Sequence, residues 1–398
     1  MGILTGVSLH ARHRDGADCG HDHRKTPSVE NRRRSGQRVT ARLSAFLAAL
    51  VICGPALCET LRIAVYHTEL SRDGPGLLLR DIEKGEDPQI LASLAVVAHA
   101  NADAIVLADF DFDANLTALN AFADRLQIYP HRFALAPNRG VHTGLDADGD
   151  GRLGEPEDAQ GYGRFAGDGG LAILSKRPIA TGDVRDLSRL NWQDLEGSLA
   201  PANVARSQRL STTGHWMVPI EISENQTLTL MTWHATPPVF DGPEDLNGKR
   251  NHDEAAIWLQ VLGAQFGAPP TTPFVIAGIS NLDPVDGDGR NSALTTLLAH
   301  PSLTDPRPSS LGALQASKDD QGINLNHTGD PALDTVDWPD TPDRPGNLRV
   351  TLALTSHDLQ VIDTQVFWPA DQTSLIGEAV TMASRHRLVW VDVCISNC

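Results

Sequence analysis

Two stretches of the chain carry polar residues of a type and spacing that could do chemistry. In the first, Asp146, Asp148 and Asp150 precede Gly151, Arg152 and Glu157. Calcium needs several hard oxygens converging on one point. A loop delivers them with side chains at positions 1, 3 and 5, a glycine turn at 6, a backbone carbonyl at 7 and a glutamate at 12. Asp146, Asp148, Asp150, Arg152 (through its carbonyl) and Glu157 occupy those places, so the spacing predicts a structural Ca2+ loop over 146–157. Pro156 and the lack of an entering helix argue against a sensor pair; a solvated acidic turn is the plain alternative. Asp286-Gly-Asp288-Gly has a similar look but lacks the third ligand and the distal glutamate.

The second stretch is TPFVIAGISNLDPVDGDGR, from Thr272 to Arg290. Phe274–Ala277 is a short apolar run with prolines before it and Gly278 after it, which reads as a buried strand. The chain then leaves the sheet and presents Ser280, Asn281, Asp283, Asp286 and Asp288 in a loop. A buried strand ending in exposed polar groups is where many α/β proteins place their chemistry.

The elements that must position these loops follow from the pattern. Leu61–Tyr66 reads as a first strand, Pro88–Ala100 as a helix, Ala104–Leu107 as a strand running into Asp109, and Leu116–Leu126 as a helix. This β-α-β-α opening predicts an α/β chain. Residues 138–165 are nearly all loop signals. Further strands are expected at Gly170–Leu174, Lys176–Ile179, Trp216–Ile222, Leu228–His234, Leu348–Leu354, Leu359–Phe367 and Arg387–Val393, with helices at Ala255–Phe266 and Ser292–Leu298. Residues 305–346, rich in Pro, Asp and Gly, read as a long surface excursion. The dense polar run from Asp241 to Glu254 reads as a charged loop capping a helix that starts near Asp253. Trp192, Trp216, Trp233, Trp258 and Trp368 read as core or rim.

Several segments, in order, resemble one family. Gly161–Ile179, His234–Glu254, the Asn281-Leu-Asp283-Pro284 loop, Gly346–Val350 and Ser384–Asp392 look like secreted members of the endonuclease/exonuclease/phosphatase superfamily, over about Leu61 to Val393. The resemblance implies an α/β (α+β) four-layer sandwich, with two mixed β-sheets face to face and helices outside. It also implies metal-dependent phosphoester chemistry at one end of the sheets. There a divalent cation neutralises the phosphate, an Asp-His pair activates water, and a second His with Asn stabilises the transition state. By that resemblance His234 matches the phosphate-binding histidine, Asn281 the asparagine of a Gly-Asp-x-Asn turn, and His386 the general base. Asp109 stands where a metal-binding glutamate is expected.

Four positions depart from that pattern. His67 replaces the first-strand asparagine, Ile279 an aspartate, Thr351 a carboxylate, and Arg385 the aspartate before the base histidine. Ile279 can neither ligate metal nor orient a nucleophile. Without an acidic partner His386 loses the group that fixes its tautomer, and an inward Arg385 would depress its pKa. Two expectations stand. One is a degenerate site with weak or no hydrolysis, serving to bind a phosphorylated small molecule or an envelope component. The other is an active enzyme using a rebuilt, imidazole-rich site at His67, Asp109, His234, Asn281 and His386, which suits Zn2+, Mn2+ or Fe2+ better than Mg2+.

Composition narrows the partners. Residues 1–42 are basic and Leu43–Leu57 is an apolar run ending in small residues, so 1–58 read as a basic n-region and secretion signal, and 59–398 as one secreted or periplasmic domain. The run is too short for a comfortable membrane span, so no transmembrane segment is expected after cleavage. The whole chain has a formal net charge of −17; residues 1–58 hold nine Lys/Arg and four Asp/Glu, so −22 remains without them. That charge repels polyanions and makes nucleic acid a poor partner. Cys394 and Cys398 could close a small terminal disulfide or remain as thiols.

Overall fold

The computed structural model describes residues 59–270 and 273–396. The expected signal over 1–58 and Cys398 lie outside the described residues. Cys394 is disulfide-bonded, and its partner lies outside them too.

In chain order the strands are β1 (Glu59–Leu70), β2 (Ala104–Phe110), β3 (His131–Phe133), β4 (Gly170–Ser175), β5 (Arg185–Asp186), β6 (His215–Ser223) and β7 (Gln226–His234). They continue as β8 (Phe274–Ile279), β9 (Leu303–Thr304), β10 (Val336–Asp337), β11 (Asn347–Leu348), β12 (Thr351–Ser356), β13 (Val361–Phe367) and β14 (Leu388–Ser396). The helices are α1 (Leu77–Lys84), α2 (Pro88–Ala100), α3 (Thr117–Leu126), α4 (Leu246–Leu262), α5 (Ser292–Leu298), α6 (Leu311–Asp320) and α7 (Leu375–Ala383). One sheet runs β13-β14-β1-β2-β4-β3, the other β5-β6-β7-β8-β12-β9, and β10 and β11 form a small ribbon. Both large sheets are mixed: β1 is parallel to β2 and antiparallel to β14, and β8 is parallel to β7 and antiparallel to β12.

Alternation along the strands makes the layers. On β1, Ile63 and Val65 point between the sheets, while Ala64 and Tyr66 point outward to Leu78, Ile90, Val97 and Phe122 on α1, α2 and α3. On β8, Val275, Ala277 and Ile279 face the inter-sheet core, while Phe274 and Ile276 pack against Ile257 and Trp258 of α4. The result is a four-layer sandwich, helix on sheet on sheet on helix, as expected. All five tryptophans read as core or rim are buried.

The differences have local causes. Lys176–Ile179 makes only an isolated bridge, Ile179 to Ile220, because Pro178 withholds a ladder donor. Residues 305–346 are not all surface: the Ser310 side chain caps α6 by accepting from Ala313 N, and Ala313 and Ala316 join the inter-sheet core. Helix α4 starts at Leu246 rather than near Asp253, so Asn251, Asp253 and Glu254 are buried inside it rather than capping it. Each makes long-range hydrogen bonds: Asp253 accepts from Trp192 Nε1 at 2.7 Å, and Glu254 from the backbone of Thr212 and Thr236 at 2.6 and 2.7 Å.

Candidate functional site

The alternation that builds the inter-sheet core also aims the polar residues. His67 continues the inward set of β1 beyond Val65, and His234 ends the inward set of β7 beyond Leu228 and Leu230. Register places His234 beside Ile279 on β8, and Ile279 beside Thr351 on β12. Above this row, His386 precedes β14 and is held by a bridge to Val336, with its N–H donating to Ser384 Oγ at 3.0 Å.

The three imidazoles therefore meet at one end of the sandwich. His67 stacks on His386 with ring centroids 3.9 Å apart and an interplanar angle of 14°, and His234 meets His67 edge-on at 4.9 Å. Trp338 stands perpendicular to His386 at 5.5 Å and forms one wall. The Nδ1 atoms of all three rings are buried without a hydrogen-bond partner among the described residues. Burial is the main reason that all three titrate below the ordinary histidine value, and their mutual proximity adds to it for His234 and His386.

Asp109 and Asn281 join this cluster from bent backbone. Asp109 sits at a break in the β2 register with φ +54°, and Asn281 has φ +50°. Both are left-handed conformations that a non-glycine residue keeps only when its surroundings over-determine it. Asn281 Nδ2 donates to Ala235 O at 2.7 Å, and Asn251 from α4 donates to both Thr236 O and Ser280 O, tying the His234 and Asn281 turns together. No member of the set (His67, Asp109, His234, Asn281, His386) is more than 9% exposed.

Arg139 is the residue that sequence reasoning missed here. Its Nη1 donates to Asp109 Oδ1 at 2.8 Å, while Ser71 Oγ donates to Asp109 Oδ2 at 3.2 Å. Burial works to raise Asp109, but Arg139, His67 and His234 outweigh it and hold the carboxyl at about 2. Gly169 leaves room for this pair: its φ is +53°, and an added Cβ would run into Arg139 Nη1 and Asp109 Oδ1. Nothing in the local sequence around Arg139 marks it, since the contact spans 30 residues.

The four departures take definite positions. Ile279 is fully buried in the inter-sheet core, and Thr351 beside it has a hydroxyl without a partner among the described residues. Arg385 does not point inward: its side chain is 60% exposed and donates from Nε to Glu69 Oε1 at 2.9 Å. Its charge is only a secondary influence on His386, behind burial and the other two histidines.

The imidazole end does not gather a ready-made all-protein shell of His, Cys, Asp or Glu atoms for a divalent ion. Among the described residues, the group of three or more His, Cys, Asp or Glu ligand atoms lying within 4.8 Å of one another is Asp146, Asp148 and Asp158. That group belongs to the loop read from sequence, with a change of membership. Pro156–Asp158 forms a short 3-10 turn that brings Asp158, not Glu157, back over the loop, where it accepts from Ala147 N at 2.6 Å and Gly154 N at 2.8 Å. Glu157 is exposed and Asp150 accepts from Arg152 N at 2.8 Å.

A model of the Endonuclease/Exonuclease/phosphatase family matches residues 82–386. Among solved structures, an endonuclease/exonuclease/phosphatase from Beutenbergia cavernae is 15% identical with a TM-score of 0.51, over 85% of this chain and 72% of that one. A family protein from Bacteroides thetaiotaomicron is 12% identical at TM-score 0.46, over 86% and 100% of the two chains. Sphingomyelinase C from Streptomyces griseocarneus is 15% identical at TM-score 0.45, over 84% and 99%. At such identity the likeness to the first is one of fold. No curated protein matches the chain.

Proposed function

The chain belongs to the endonuclease/exonuclease/phosphatase family, and from that premise we propose that it is an extracytoplasmic member with a degenerate site, hydrolysing phosphoesters weakly or not at all. The family is divalent-metal-dependent. The observation that carries the reading is that, among the described residues, none of the three buried imidazoles has a carboxylate on its Nδ1. A general-base histidine needs such a partner to fix its tautomer and to stabilise the imidazolium that forms when it takes a proton from water. The carboxylates near the imidazoles, Asp109 and Glu69, already have cations in Arg139 and Arg385. Ile279 and Thr351, side by side on the floor, supply no substitute.

What the site retains suits binding. Three imidazoles that are neutral at pH 7 each have a lone pair or N–H to offer, and an entering phosphate-type anion would raise their pKa values and be met by proton uptake. A phosphorylated small molecule is accordingly the ligand class proposed. Asp146, Asp148 and Asp158 would hold Ca2+ in the loop over 146–158, supplying hard oxygens to a structural ion. The basic and apolar segment over 1–58 supports export.

The test is hydrolysis of a phosphodiester and a phosphomonoester by the purified protein across Ca2+, Mg2+, Mn2+ and Zn2+, with calorimetric titration of inorganic phosphate alongside. Binding that takes up protons without turnover is the expected result. Turnover that disappears in both His234→Ala and His386→Ala would instead establish the active, rebuilt-site reading.

A further inference from the structure

Beside the imidazole cluster, the turn after Asn281 and the segment from 317 to 334 enclose a cavity of about 60 Å3, lined among others by Asp286, Ser317, Asn324, His327 and Asp334. That is room for more than one water. Asp334 is only 7% exposed, and its carboxylate receives no hydrogen bond from any described residue. Its acidic neighbours are provided for. Asp283 accepts from the backbone of Val285, Asp286 and Arg349, at 2.7, 2.9 and 2.6 Å, and Asp286 accepts from Thr328 N at 2.8 Å and Gly329 N at 2.9 Å. Asp334 alone has burial and negative charge with no compensation: burial first, then Asp283, Asp286 and Asp330, push it up to about 8.

A buried carboxylate facing a polar, water-sized cavity in a negative field is a place for a cation. The ligand atoms of Asp334 and its neighbours are not gathered closely enough to form a ready-made inner shell. An ion here must keep much of its water, which is the habit of Mg2+, bound through one or two carboxylates, rather than of Ca2+ in an all-protein cage. We propose that this cavity holds a hydrated divalent cation of the Mg2+ type, with Asp334 as its direct ligand and Asp286, Ser317 and Asn324 reached through its waters.

The ion has a structural consequence. It pins the Asp283–Asp286 turn to the chain that leads into β10, where Val336 bridges to His386 and Trp338 walls its ring. The cation thus positions one side of the imidazole cluster without touching it.

The experiment is thermal unfolding of the full chain with added MgCl2, against NaCl at equal ionic strength, for the wild type, an Asp146→Asn/Asp148→Asn double variant and Asp334→Asn. Mg2+ raises the melting temperature of the first two, and Asp334→Asn loses that response, with Mg2+ binding weakened by roughly tenfold or more. A response that Asp334→Asn retains in full overturns the proposal. Should that variant not fold, wild-type crystals soaked in MnCl2 decide: an anomalous peak beside Asp334 is expected, and a cavity without one at saturating Mn2+ overturns it.

Discussion

His67 and His386 lie stacked, 3.9 Å between ring centroids and 14° between planes, although one comes from the first strand and the other from the approach to the last. Two parallel imidazoles at this distance cannot both be protonated without strong repulsion. The stack is thus stable only while at least one ring is neutral.

That relationship fixes a pH dependence. His67, His234 and His386 have folded pKa values below the ordinary 6.5. Depressed groups contribute stability that is present above the unfolded value and is lost as the pH falls below it, because the unfolded chain then binds more protons. Each ring kept neutral costs about 1.4 kcal/mol per pH unit below 6.5. Buried carboxyls such as Asp111 and Glu254, each raised to about 7, act in the opposite sense. The readout is therefore a difference: in denaturant melts from pH 7 to 5 the stability of the wild type falls relative to that of His386→Gln. Equal slopes for the two proteins would remove the imidazole stack from the explanation.

The floor of the site resists simple restoration. Ile279→Asp places a carboxylate at a position with 0% exposure, among Val275, Ala277 and Ala353. Arg139 is committed to Asp109 and the neighbouring imidazoles are neutral at pH 7, so the new charge has no cationic partner, and the variant loses about 3 kcal/mol or more. Urea unfolding reads this directly. A variant as stable as the wild type would mean that the floor is wetter or more polar than its neighbours imply.

The acidic loop proposed to hold Ca2+ separates two carboxylates that adjoin in sequence. Ca2+ at a hundred times its dissociation constant stabilises the protein by about 2.7 kcal/mol. Asp158→Asn loses that stabilisation, and Glu157→Gln keeps it. The reverse outcome in a calcium-dependent melt would restore the membership read from the spacing.

Much of the sandwich was legible because its signals are local. Helix α2 runs from Pro88 to Ala100 as expected: the Asp87 side chain accepts from Ile90 N, Pro88 fits the first turn, and Asn101 ends it in a left-handed conformation. The central strands could be read from apolar runs such as Ala104–Leu107. What escaped was set by contacts far apart in sequence. Asn251, Asp253 and Glu254 look like loop residues because nothing in their own segment shows the backbone groups they satisfy inside α4. Helix α6 carries its capping serine in plain view, but proline and aspartate on either side masked it. The imidazole set could be named only through the resemblance, and Arg139 not at all. The shift from Glu157 to Asp158 comes from the tight turn that Pro156 opens, which a ligand-spacing template ignores.

The pairing of β1 with β14 in the middle of one sheet has a consequence for how the protein comes into being. A nascent chain can match β1 with β2 early but holds the other edge of β1 unmatched until β14 has left the ribosome. The stacked rings are born only at that closing moment, and a chain cut short near its end lacks both a finished sheet and any part of the pocket that depends on it.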